Sequence, residues 1–392
     1  MLTMDRLLPH DRERATLVGR VWDPAERGPA LVVVAGDDAV DVTDLGPTCS
    51  KLLERHDAAA LRAAAADPAR RRWSLTTLID AFGDERDPEV ARLLSPVDLQ
   101  VLKAAGVTFV ESMVERVIEE RAQGDLQQAE AIRGQLADAI GGAIAQVKPG
   151  SEAAEKVKQI LVSEGLWSQY LEVGIGPDPE IFTKAPVLSS VGVGATIGVL
   201  SRSAWNNPEP EVALVARADG TPVGAMLGND VNLRDFEGRS ALLLTEAKDN
   251  NASCALGPFV RLFDDAFTID DVRGLDVNLT VEGPEGFRMD GVSSMRNISR
   301  DPLELIAHTC GAHHHYPDGF VLLTGTLFAP TQDRHGPGQG FTHVVGDVVR
   351  ISADRLGELV NVVDHAETAP PWTFGIWDLV ESLNRRSLLA AR

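Results

Sequence analysis

Cysteine and aromatic residues are scarce in this sequence. Its 392 residues include three cysteines, Cys49, Cys254 and Cys310, and aromatic side chains make up 5% of the chain. The cysteines are odd in number, and no two of them form a C-x-x-C pair. This usage does not suit a disulfide framework and favours a reducing compartment. We therefore expect a cytoplasmic protein.

Positively charged residues are also fewer than negatively charged ones, and long apolar runs are lacking. The chain has 37 Lys and Arg against 58 Asp and Glu, which gives a formal net charge of −21. Such an acidic surface is a poor partner for nucleic acid and for anionic membranes. The N-terminal segment Met1–Arg6 lacks an apolar signal core, and no stretch is long enough to span a bilayer. We therefore expect neither nucleic-acid binding nor membrane association.

The pattern of apolar residues and turns predicts a mixed α+β fold. A small β-rich N-terminal domain is expected over residues 1–90, followed by a β-rich catalytic domain over 91–392. A helical lid insertion is expected at about 95–165. The individual elements expected are strands at Ala15–Val21, Ala30–Val34, Val321–Thr326, Asp347–Ile351 and Leu359–Val363, and helices at Ala58–Arg72, Pro302–His308 and Trp377–Ala391.

Apolar residues recur at helical spacing within the predicted lid. The longer stripe consists of Leu126, Ala129, Ile132, Leu136, Ile140 and Ile144, and a second stripe on the preceding helix consists of Met113, Val117 and Ile118. Such stripes indicate amphipathic helices whose apolar faces pack in a core. The segment Ala58–Arg72 is rich in Ala and Arg, and we expect it to be a helix or a poorly ordered connector.

One pair of adjacent segments predicts a β-hairpin. Glu209–Arg217 and Val223–Asp230 alternate like strands, and Asp219–Gly220 between them is favoured in two-residue type I′ turns. With that loop, Ala218 pairs with Thr221, and the cross-strand pairing of every other residue follows. A bulge in either strand would change this register.

The predicted register gathers three carboxylates at one end of the hairpin. It places Glu209 opposite Asp230, and Glu211 shares the face of Glu209 because strand side chains alternate with period two. Opposed like charges destabilise a sheet, and a divalent cation is the simplest reason to place them there. Oxygen ligands select Mg²⁺ first and Mn²⁺ or Ca²⁺ next. The alternatives are solvent-facing acidic residues or a structural module that binds Ca²⁺ for stability.

The order of several short motifs resembles the fumarylacetoacetate hydrolase superfamily over roughly residues 109–365. The matching elements are Glu209–Leu214, Gly228–Val231 with Arg234–Asp235, Lys248 ahead of Cys254–Pro258, Thr324–Thr326, and Gly346–Val349. The resemblance implies the same mixed fold and a catalytic Mg²⁺ held by Glu209, Glu211 and Asp230. It also implies a homo-oligomer, either a homodimer or a homotetramer.

The resemblance assigns further residues to the site. Lys248 matches the active-site lysine of the superfamily, Arg234 its arginine, and Thr326 the threonine that contacts a substrate carboxylate. Lys184, in an element that resembles Phe-x-Lys-Pro without its proline, is a further substrate-site candidate. We expect Arg234 to orient a metal-binding carboxylate. Without the resemblance, Lys248 and Arg234 would be read as salt-bridge partners of Asp235 or Asp249.

One departure from the superfamily pattern concerns hydrolysis. Carbon–carbon hydrolases of the superfamily carry a His-x-x-Glu pair on a lid helix that activates water. The corresponding stretch here has Ser112 and Glu115. A serine hydroxyl is not a general base near pH 7 without a partner base. Glu115 is thus retained, Ser112 is left as a substrate-binding candidate, and hydrolysis is in doubt.

Other features resemble a narrower branch, the sugar-acid dehydratases that act on 2-keto-3-deoxy-pentonates. They are the helical insertion, the lead-in Trp205–Glu209 and the stretch Gly311–Gly319. The branch implies a carbon–oxygen lyase of pentose catabolism that forms 2,5-dioxopentanoate from a xylonate- or arabinonate-derived acid. The enzymatic alternative is hydrolysis or decarboxylation of acylpyruvates or β-keto acids at the same site.

Dehydration requires a base at C3 and an acid for the C4 hydroxyl. We expect Lys248 to stabilise the enolate or, if burial lowers its pKa, to act as the base. We expect Glu115 to protonate the departing hydroxyl, although the two roles can be exchanged. A cation at the carboxylates would acidify the C3 protons by polarising the 2-keto group.

A cluster of soft metal ligands lies outside these motifs. His308, Cys310 and the run His313–His315 are types of residue that bind zinc or copper. They are bunched beside a predicted helix end and a Pro-Asp-Gly turn. We expect loop packing, a charge at the helix C-terminus or a contact at the substrate rim rather than a metal site.

Overall fold

The computed structural model describes residues 2–83, 87–131, 133, 144, 147–328, 330, 332–336 and 340–389. Its architecture is mixed α+β, as predicted. Strands form an eleven-stranded sheet, a five-stranded sheet and a two-stranded ribbon. Side chains from both larger sheets, such as Leu214 and Leu279, share one apolar core. None of the helices in the described part of the chain is long and apolar enough to cross a bilayer.

The strands are β1 Leu17–Asp23, β2 Gly28–Ala35, β3 Asp38–Asp41, β4 Arg72–Ser74, β5 Arg92–Leu94, β6 Val101–Gly106, β7 Glu180–Ala185, β8 Thr196–Val199, β9 Asn206–Asn207, β10 Pro210–Ala216, β11 Pro222–Asp230, β12 Asn232–Leu233, β13 Cys254–Leu262, β14 Asp276–Glu282, β15 Arg288–Ser294, β16 Phe320–Leu323, β17 Val348–Ala353 and β18 Gly357–His365. The helices are α1 Met4–Leu7, α2 Cys49–Arg55, α3 Ala58–Ala65, α4 Leu75–Asp80, α5 Val110–Arg121, α6 Glu152–Ser163, α7 Gln169–Ile175, α8 Arg234–Glu237, α9 Leu244–Lys248, α10 Ile269–Arg273, α11 Pro302–Thr309 and α12 Ile376–Arg385.

The large sheet joins the N-terminal strands to the predicted metal hairpin. Its order is β4-β3-β2-β1-β13-β11-β10-β16-β6-β7, and β5 pairs with β1. The junction is the antiparallel pairing of Leu17 with Arg261 and of Val18 with Val260. The division at residue 90 stays a prediction, but strands on both sides of it belong to one sheet.

The predicted lid begins later in the chain than expected. Val101–Gly106, inside the predicted helical range, is a strand that pairs in parallel with β16. Its six residues are too few to show a period, and pairing with a buried neighbour decides its conformation. The first lid helix therefore starts at Val110.

The helical stripes of the lid are described in part. Met113, Val117 and Ile118 are buried on α5, and Leu126 and Ala129 lie in a helical segment at 126–131. Ile132, Leu136 and Ile140 lie outside the described residues. Ile144, the last residue of the stripe, is buried.

Two predicted helices are shorter than expected. The segment Ala58–Arg72 is helical through Ala65 and leads into the strand Arg72–Ser74. The C-terminal helix ends at Arg385 rather than Ala391, and Ser387 beyond it has a positive φ of 56° that an α-helix does not accommodate. Pro302–Thr309 is helical as predicted.

Candidate metal centre and active-site cleft

The hairpin loop has three residues instead of the predicted two. The N–H of Arg217 donates to the carbonyl of Thr221, and Gly220 in the loop has a φ of +85°, which favours glycine. The register shifts between Val215 and Ala216, because Ala216 pairs with Pro222 whereas Val215 pairs with Gly224. This bulge offsets the extra loop residue. The register of the remaining hairpin is therefore the one predicted.

The three predicted carboxylates converge at the open end of the hairpin. The N–H of Asp230 donates to the carbonyl of Glu209 at 3.1 Å, and Glu211 pairs with Gly228. One carboxylate oxygen from each of Glu209, Glu211 and Asp230 lies within 4.8 Å of the others, and all three residues are buried. Within the described residues this is the one cluster of His, Cys, Asp and Glu with such spacing.

Lys248 bridges two members of this triad. Its ammonium donates to Glu209 Oε2 at 2.6 Å and to Asp230 Oδ2 at 3.0 Å, whereas salt bridges to Asp235 or Asp249 were the alternative expectation. Burial alone lowers the pKa of Lys248, but Asp230, Glu209 and Glu237 outweigh burial and raise it. The idea that burial frees Lys248 as a neutral base is therefore not supported.

Lys184 holds the other oxygen of Asp230. Its Nζ lies 2.9 Å from Asp230 Oδ1 and also donates to the carbonyls of Val231 and Lys248. The side chain is 0% exposed, so the ammonium does not reach the cleft. In this geometry Lys184 orients Asp230, and its contact with substrate stays a prediction.

Glu211 is bound by a backbone amide. The N–H of Gly325 donates to Glu211 Oε2 at 2.7 Å. Gly325 has a φ of +91°, and an added Cβ would lie 2.0 Å from Thr108 Oγ1, so only glycine fits there. Burial first, and then Asp230 and Glu209, raise the pKa of Glu211 well above its usual range.

Arg116 of α5 was not identified from the sequence, yet it contacts the triad. Its guanidinium donates to Glu209 Oε1 at 2.7 Å and pairs with Glu119 and with Glu237. Glu119 and Glu237 are themselves buried. The only sequence signal was the presence of charged residues within the apolar pattern of a helix. These ion pairs fix the lid helix against the metal hairpin.

Arg234 lies elsewhere than expected. Its guanidinium pairs with Glu119 at 2.5 Å and with Glu115 at 3.0 Å, and it stacks 4.2 Å from the ring centroid of Trp205. None of these contacts of Arg234 is with Glu209, Glu211 or Asp230. The expectation that Arg234 orients a triad carboxylate is therefore wrong, and Arg116 takes that position.

Glu115 lies between two arginines. Its carboxylate accepts from Arg133 Nε at 2.9 Å and Nη2 at 2.8 Å, and from Arg234 Nη2 at 3.0 Å. Burial raises the pKa of Glu115, but the two arginines outweigh burial and lower it. The carboxyl is thus ionised at neutral pH, which favours proton acceptance over proton donation.

A narrow cleft lies beside the triad. It is lined by Ser112, Glu115, Arg116, Glu119, Asn207, Glu209, Arg234, Thr326 and Phe328. Ser112 Oγ donates to the carbonyl of Phe109 at the start of α5, and Thr326 Oγ1 accepts from the N–H of Phe328. The two substrate-binding candidates therefore face the same space as Glu115 and Glu209.

The charge of the site fits a divalent cation. The triad and the ion pairs connected to it comprise seven carboxylates and five cations among the described residues, namely Glu115, Glu119, Glu130, Glu209, Glu211, Asp230 and Glu237 against Arg116, Arg133, Lys184, Arg234 and Lys248. When all are ionised, seven against five leaves a net charge of −2. A divalent cation would balance it, and three carboxylates are the donors that hard cations prefer.

A further carboxyl, Glu180, lies near this network on β7. Burial and the charge of Glu237 raise the pKa of Glu180 to about 7, although Arg116 and Lys248 oppose the rise. A single glutamate at the start of a strand carries no motif, so sequence reasoning did not identify it.

Within the described residues, the side chains of the soft-ligand stretch are not spaced to hold one metal ion. His313 Nε2 lies 3.0 Å from the carbonyl of His308, and Gly311 pairs with His314 in a tight turn. Cys310 Sγ lies 3.9 Å from the carbonyl of Ala218 in the hairpin loop. This arrangement agrees with the expected loop packing.

Comparison with known proteins bears on this site. Residues 176–364 match the family model described as "Fumarylacetoacetate (FAA) hydrolase C-terminal". The matched range contains the metal hairpin, Lys248 and Thr326, whereas α5 with Ser112 and Glu115 precedes it.

Two curated relatives match about half of the chain. A Haloferax volcanii protein named "Probable 2-keto-3-deoxyxylonate dehydratase" is 34% identical over 194 residues, which are 50% of this chain and 63% of the relative. A Saccharolobus solfataricus protein named "2-dehydro-3-deoxy-D-arabinonate dehydratase" is 31% identical over 185 residues, which are 47% of this chain and 58% of the relative. The chain thus spans about three fifths of the length of these relatives.

Solved structures share the fold. A 2-keto-3-deoxy-D-arabinonate dehydratase in its apo form superposes with a TM-score of 0.61 at 21% identity, covering 89% of this chain and 99% of the other. The same enzyme complexed with magnesium and 2,5-dioxopentanoate gives a TM-score of 0.60 with the same identity and coverage. At this identity the likeness establishes the fold.

Proposed function

We propose that this chain, whose residues 176–364 match the fumarylacetoacetate hydrolase family model, is a hydro-lyase that removes water from a 2-keto-3-deoxy-pentonate. The product is 2,5-dioxopentanoate. The observation that carries the proposal is the buried triad Glu209, Glu211 and Asp230, whose Glu209 lines a cleft together with Glu115 and Thr326. Support comes from two relatives above 30% identity whose names are those of dehydratases for such acids.

We propose that the triad holds Mg²⁺, which Mn²⁺ can replace. The net charge of the site and its all-carboxylate donors support this choice, as does the magnesium in the structural neighbour. When bound, such an ion polarises a carbonyl oxygen and makes a neighbouring C–H bond more acidic. Lys184, Lys248, Arg116 and the amide of Gly325 hold the three carboxylates in place.

The reaction breaks the C3–H bond and the C4–O bond. A base takes the C3 proton, a C3–C4 double bond forms as the C4 hydroxyl leaves, and the hydroxyl takes up a proton to leave as water. Tautomerisation of the resulting 5-hydroxy-2-oxo-3-enoate then gives 2,5-dioxopentanoate. These steps require one proton acceptor and one proton donor or stabilising cation at the cleft.

We assign these two roles to Glu115 and Lys248. Glu115 is ionised and faces the cleft, so it suits removal of the C3 proton. The Lys248 ammonium, fixed by Glu209 and Asp230, suits stabilisation of the negative charge that develops on the substrate. This assignment keeps Lys248 as the stabiliser first expected and gives Glu115 the role of base; once protonated, Glu115 can pass the C3 proton to the departing hydroxyl. Thr326 and Ser112 line the cleft and are proposed to bind the substrate carboxylate and chain.

The enzymatic alternative is hydrolysis or decarboxylation of acylpyruvates or β-keto acids on the same triad. Hydrolysis needs a base that activates water. The residue in the position of the superfamily histidine is Ser112, whose hydroxyl bonds to Phe109. No histidine lines the cleft within the described residues. The dehydratase is therefore the better supported proposal.

A direct assay separates the candidates. Metal-stripped protein is incubated with 2-keto-3-deoxy-pentonates of the xylonate and arabinonate series, with and without Mg²⁺, and 2,5-dioxopentanoate is measured. We expect product that requires Mg²⁺ and is absent from Glu211→Gln. Pyruvate released from an acylpyruvate, without dehydration, would instead establish the hydrolase. Stabilisation by Ca²⁺ without any turnover would establish a structural module.

The quaternary structure is a separate proposal. The resemblance to the superfamily leads us to propose a homodimer or homotetramer, and light scattering of the purified protein measures the mass directly. A monomer of 42.1 kDa at working concentration would contradict it.

A further inference from the structure

The cleft contains a buried amide whose oxygen has no bonding partner. Asn207, in β9, lines the cleft and is 2% exposed. Its Nδ2 donates to the carbonyl of Pro208 at 2.9 Å. Its Oδ1 has no hydrogen-bond partner within the described part of the chain. Because buried polar atoms in native proteins are nearly always satisfied, this acceptor calls for a ligand or an ordered water.

The orientation of the amide follows from its one hydrogen bond. The oxygen and nitrogen of an Asn amide look alike, and their assignment rests on the bonding network. The carbonyl of Pro208 accepts only from a donor, so the atom that faces it is Nδ2. The atom left without a partner is therefore an acceptor, and it suits a neutral donor such as a hydroxyl.

The neighbouring charged groups in the cleft are already paired. Glu115 and Glu119 accept from arginines, and Arg116 and Arg234 donate to these and other carboxylates. Asn207 is thus an uncharged acceptor among ion pairs. A charged ligand group would disturb these pairs, whereas a hydroxyl would not.

The position of Asn207 relative to the triad identifies which hydroxyl it can reach. It precedes Glu209 by two residues, and both line the cleft. Two residues of extended chain span about 6.6 Å. If the keto-acid end of the substrate lies at the triad, a substrate group about 6.6 Å away is at the far end of a five-carbon chain. That group is the C5 hydroxyl, four bonds from C2.

We propose that Asn207 Oδ1 accepts a hydrogen bond from the C5 hydroxyl of the substrate, which makes Asn207 a specificity-determining residue. This inference rests on the proposed function. It identifies the substrate class further, as 2-keto acids with a hydroxymethyl end. Acylpyruvates carry no donor there and gain nothing from Asn207.

The test compares two substrates in the full-length protein. One is the 2-keto-3-deoxy-pentonate, and the other is 4-hydroxy-2-oxopentanoate, which lacks the C5 hydroxyl but keeps the leaving group at C4. Asn207→Leu keeps the side-chain size and removes the acceptor. Asn207→Ser, a smaller change, serves if the leucine variant does not fold. We expect kcat/KM for the pentonate to fall about tenfold or more while that for the analogue changes little.

Pyruvate provides the control for the metal end of the site. As a competitive inhibitor it carries the keto acid but no distal hydroxyl, so its inhibition constant should be the same in wild type and variant. Asn278→Leu, on the exposed face of strand β14, is the matched control and should leave both substrates unaffected. Equal losses for both substrates and for pyruvate would mean that Asn207 merely supports Glu209, and would overturn the proposal.

Binding data separate this inference from the proposed function. If wild type turns over neither substrate, the dehydratase proposal fails. Calorimetric Kd values for the two acids then decide the role of Asn207. A preference for the hydroxylated acid that disappears in Asn207→Leu retains Asn207 as a hydroxyl acceptor, and equal affinities in wild type reject it.

Discussion

The backbone N–H of Asp230 donates to the backbone carbonyl of Glu209 at 3.1 Å, directly across the hairpin. This bond fixes the spacing of two carboxylates by the strand pairing itself rather than by a bound cation. The site is therefore preorganised, and its like charges are held together by Lys248 and the surrounding ion pairs. Electrostatic preorganisation of this kind is what a cation-binding catalytic site requires.

Glu211→Gln separates metal binding from folding. Gln retains an oxygen for the N–H of Gly325 and removes a carboxylate whose pKa is raised by burial and by its acidic neighbours. We expect metal-free stability to be unchanged or higher. Wild type should gain about 2.7 kcal/mol at a Mg²⁺ concentration of 100 Kd, and the variant should gain little.

Thermal unfolding with and without Mg²⁺, together with calorimetric titration, measures both effects. Glu381→Gln, on the exposed face of α12, is the control and should behave as wild type. Equal stabilisation of the Glu211 variant by Mg²⁺ would remove Glu211 from the ligand set.

Lys248→Met tests electrostatic catalysis. The ammonium holds Glu209 and Asp230, so its loss removes a competitor for a cation and a stabilising charge for the reaction. We expect kcat to fall by at least about 100-fold, with Mg²⁺ bound as tightly as in wild type or more tightly. Lys158→Met, whose ammonium pairs with Glu172 at the surface, is the control. Retained turnover with Mg²⁺ bound would exclude Lys248 from the chemistry.

Glu115 is predicted to act in its ionised form. Arg133 and Arg234 outweigh burial and hold its pKa below the ordinary value of 4.5, so activity should persist as the pH falls to that value. Glu115→Gln should lower kcat by about 100-fold or more. A general acid with this pKa would instead be deprotonated near neutrality, and kcat would rise as the pH falls.

Arg133→Met extends the pH test. Removing one of the two arginines should raise the pKa of Glu115 and move the acidic limb of the kcat profile to higher pH. Arg121→Met is the control, because Arg121 ends α5, the helix that carries Glu115, and bonds to the carbonyl of Gly165. An unmoved limb would show that Glu115 does not set it.

Asp347 is predicted to make stability depend on acid pH. Its carboxylate accepts from Nη1 and Nη2 of Arg334, each at 2.7 Å, and bonds to Nδ1 of His343. Burial raises its pKa, but Arg334 and His343 outweigh burial and lower it from 3.8 to about 2. A depressed carboxyl pKa adds stability above the unfolded value, about 2 kcal/mol here, and loses it as the pH falls from about 4 to about 2.

Unfolding free energies of wild type and Asp347→Asn across that pH range check this dependence. The variant should be less stable at neutral pH, because it leaves Arg334 without its carboxylate, and its stability should vary less between pH 4 and pH 2. Parallel curves for the two proteins would contradict the assignment.

The sequence predicted the triad well because its geometry is local. Alternation along two short strands decides which side chains share a face. The predicted face was therefore correct although the predicted two-residue loop was wrong. The three-residue loop alone would have moved Asp230 away from Glu209. The bulge between Val215 and Ala216 restored the register, and no feature of the sequence predicted it. The agreement at the carboxylate end therefore depended on two departures that offset each other.

Partners chosen across long sequence separations could not be predicted. Arg116 reaches Glu209 over 93 residues, and Arg234 selects Glu119 over the triad although Asp230 is close in sequence. Charged side chains have several possible partners, and packing of α5 on α8 decides among them. The strand Val101–Gly106 is a similar case, since its conformation depends on β16, more than 200 residues away.

The pairing of Leu17 and Val18 with β13 gives the N-terminal strands a protective role. Without them, β13 would present unpaired backbone groups and a wholly buried strand to solvent. Exposed apolar strand edges recruit strands from other chains. A shortened chain that starts at residue 91 should therefore aggregate, although it would keep every residue of the proposed catalytic site.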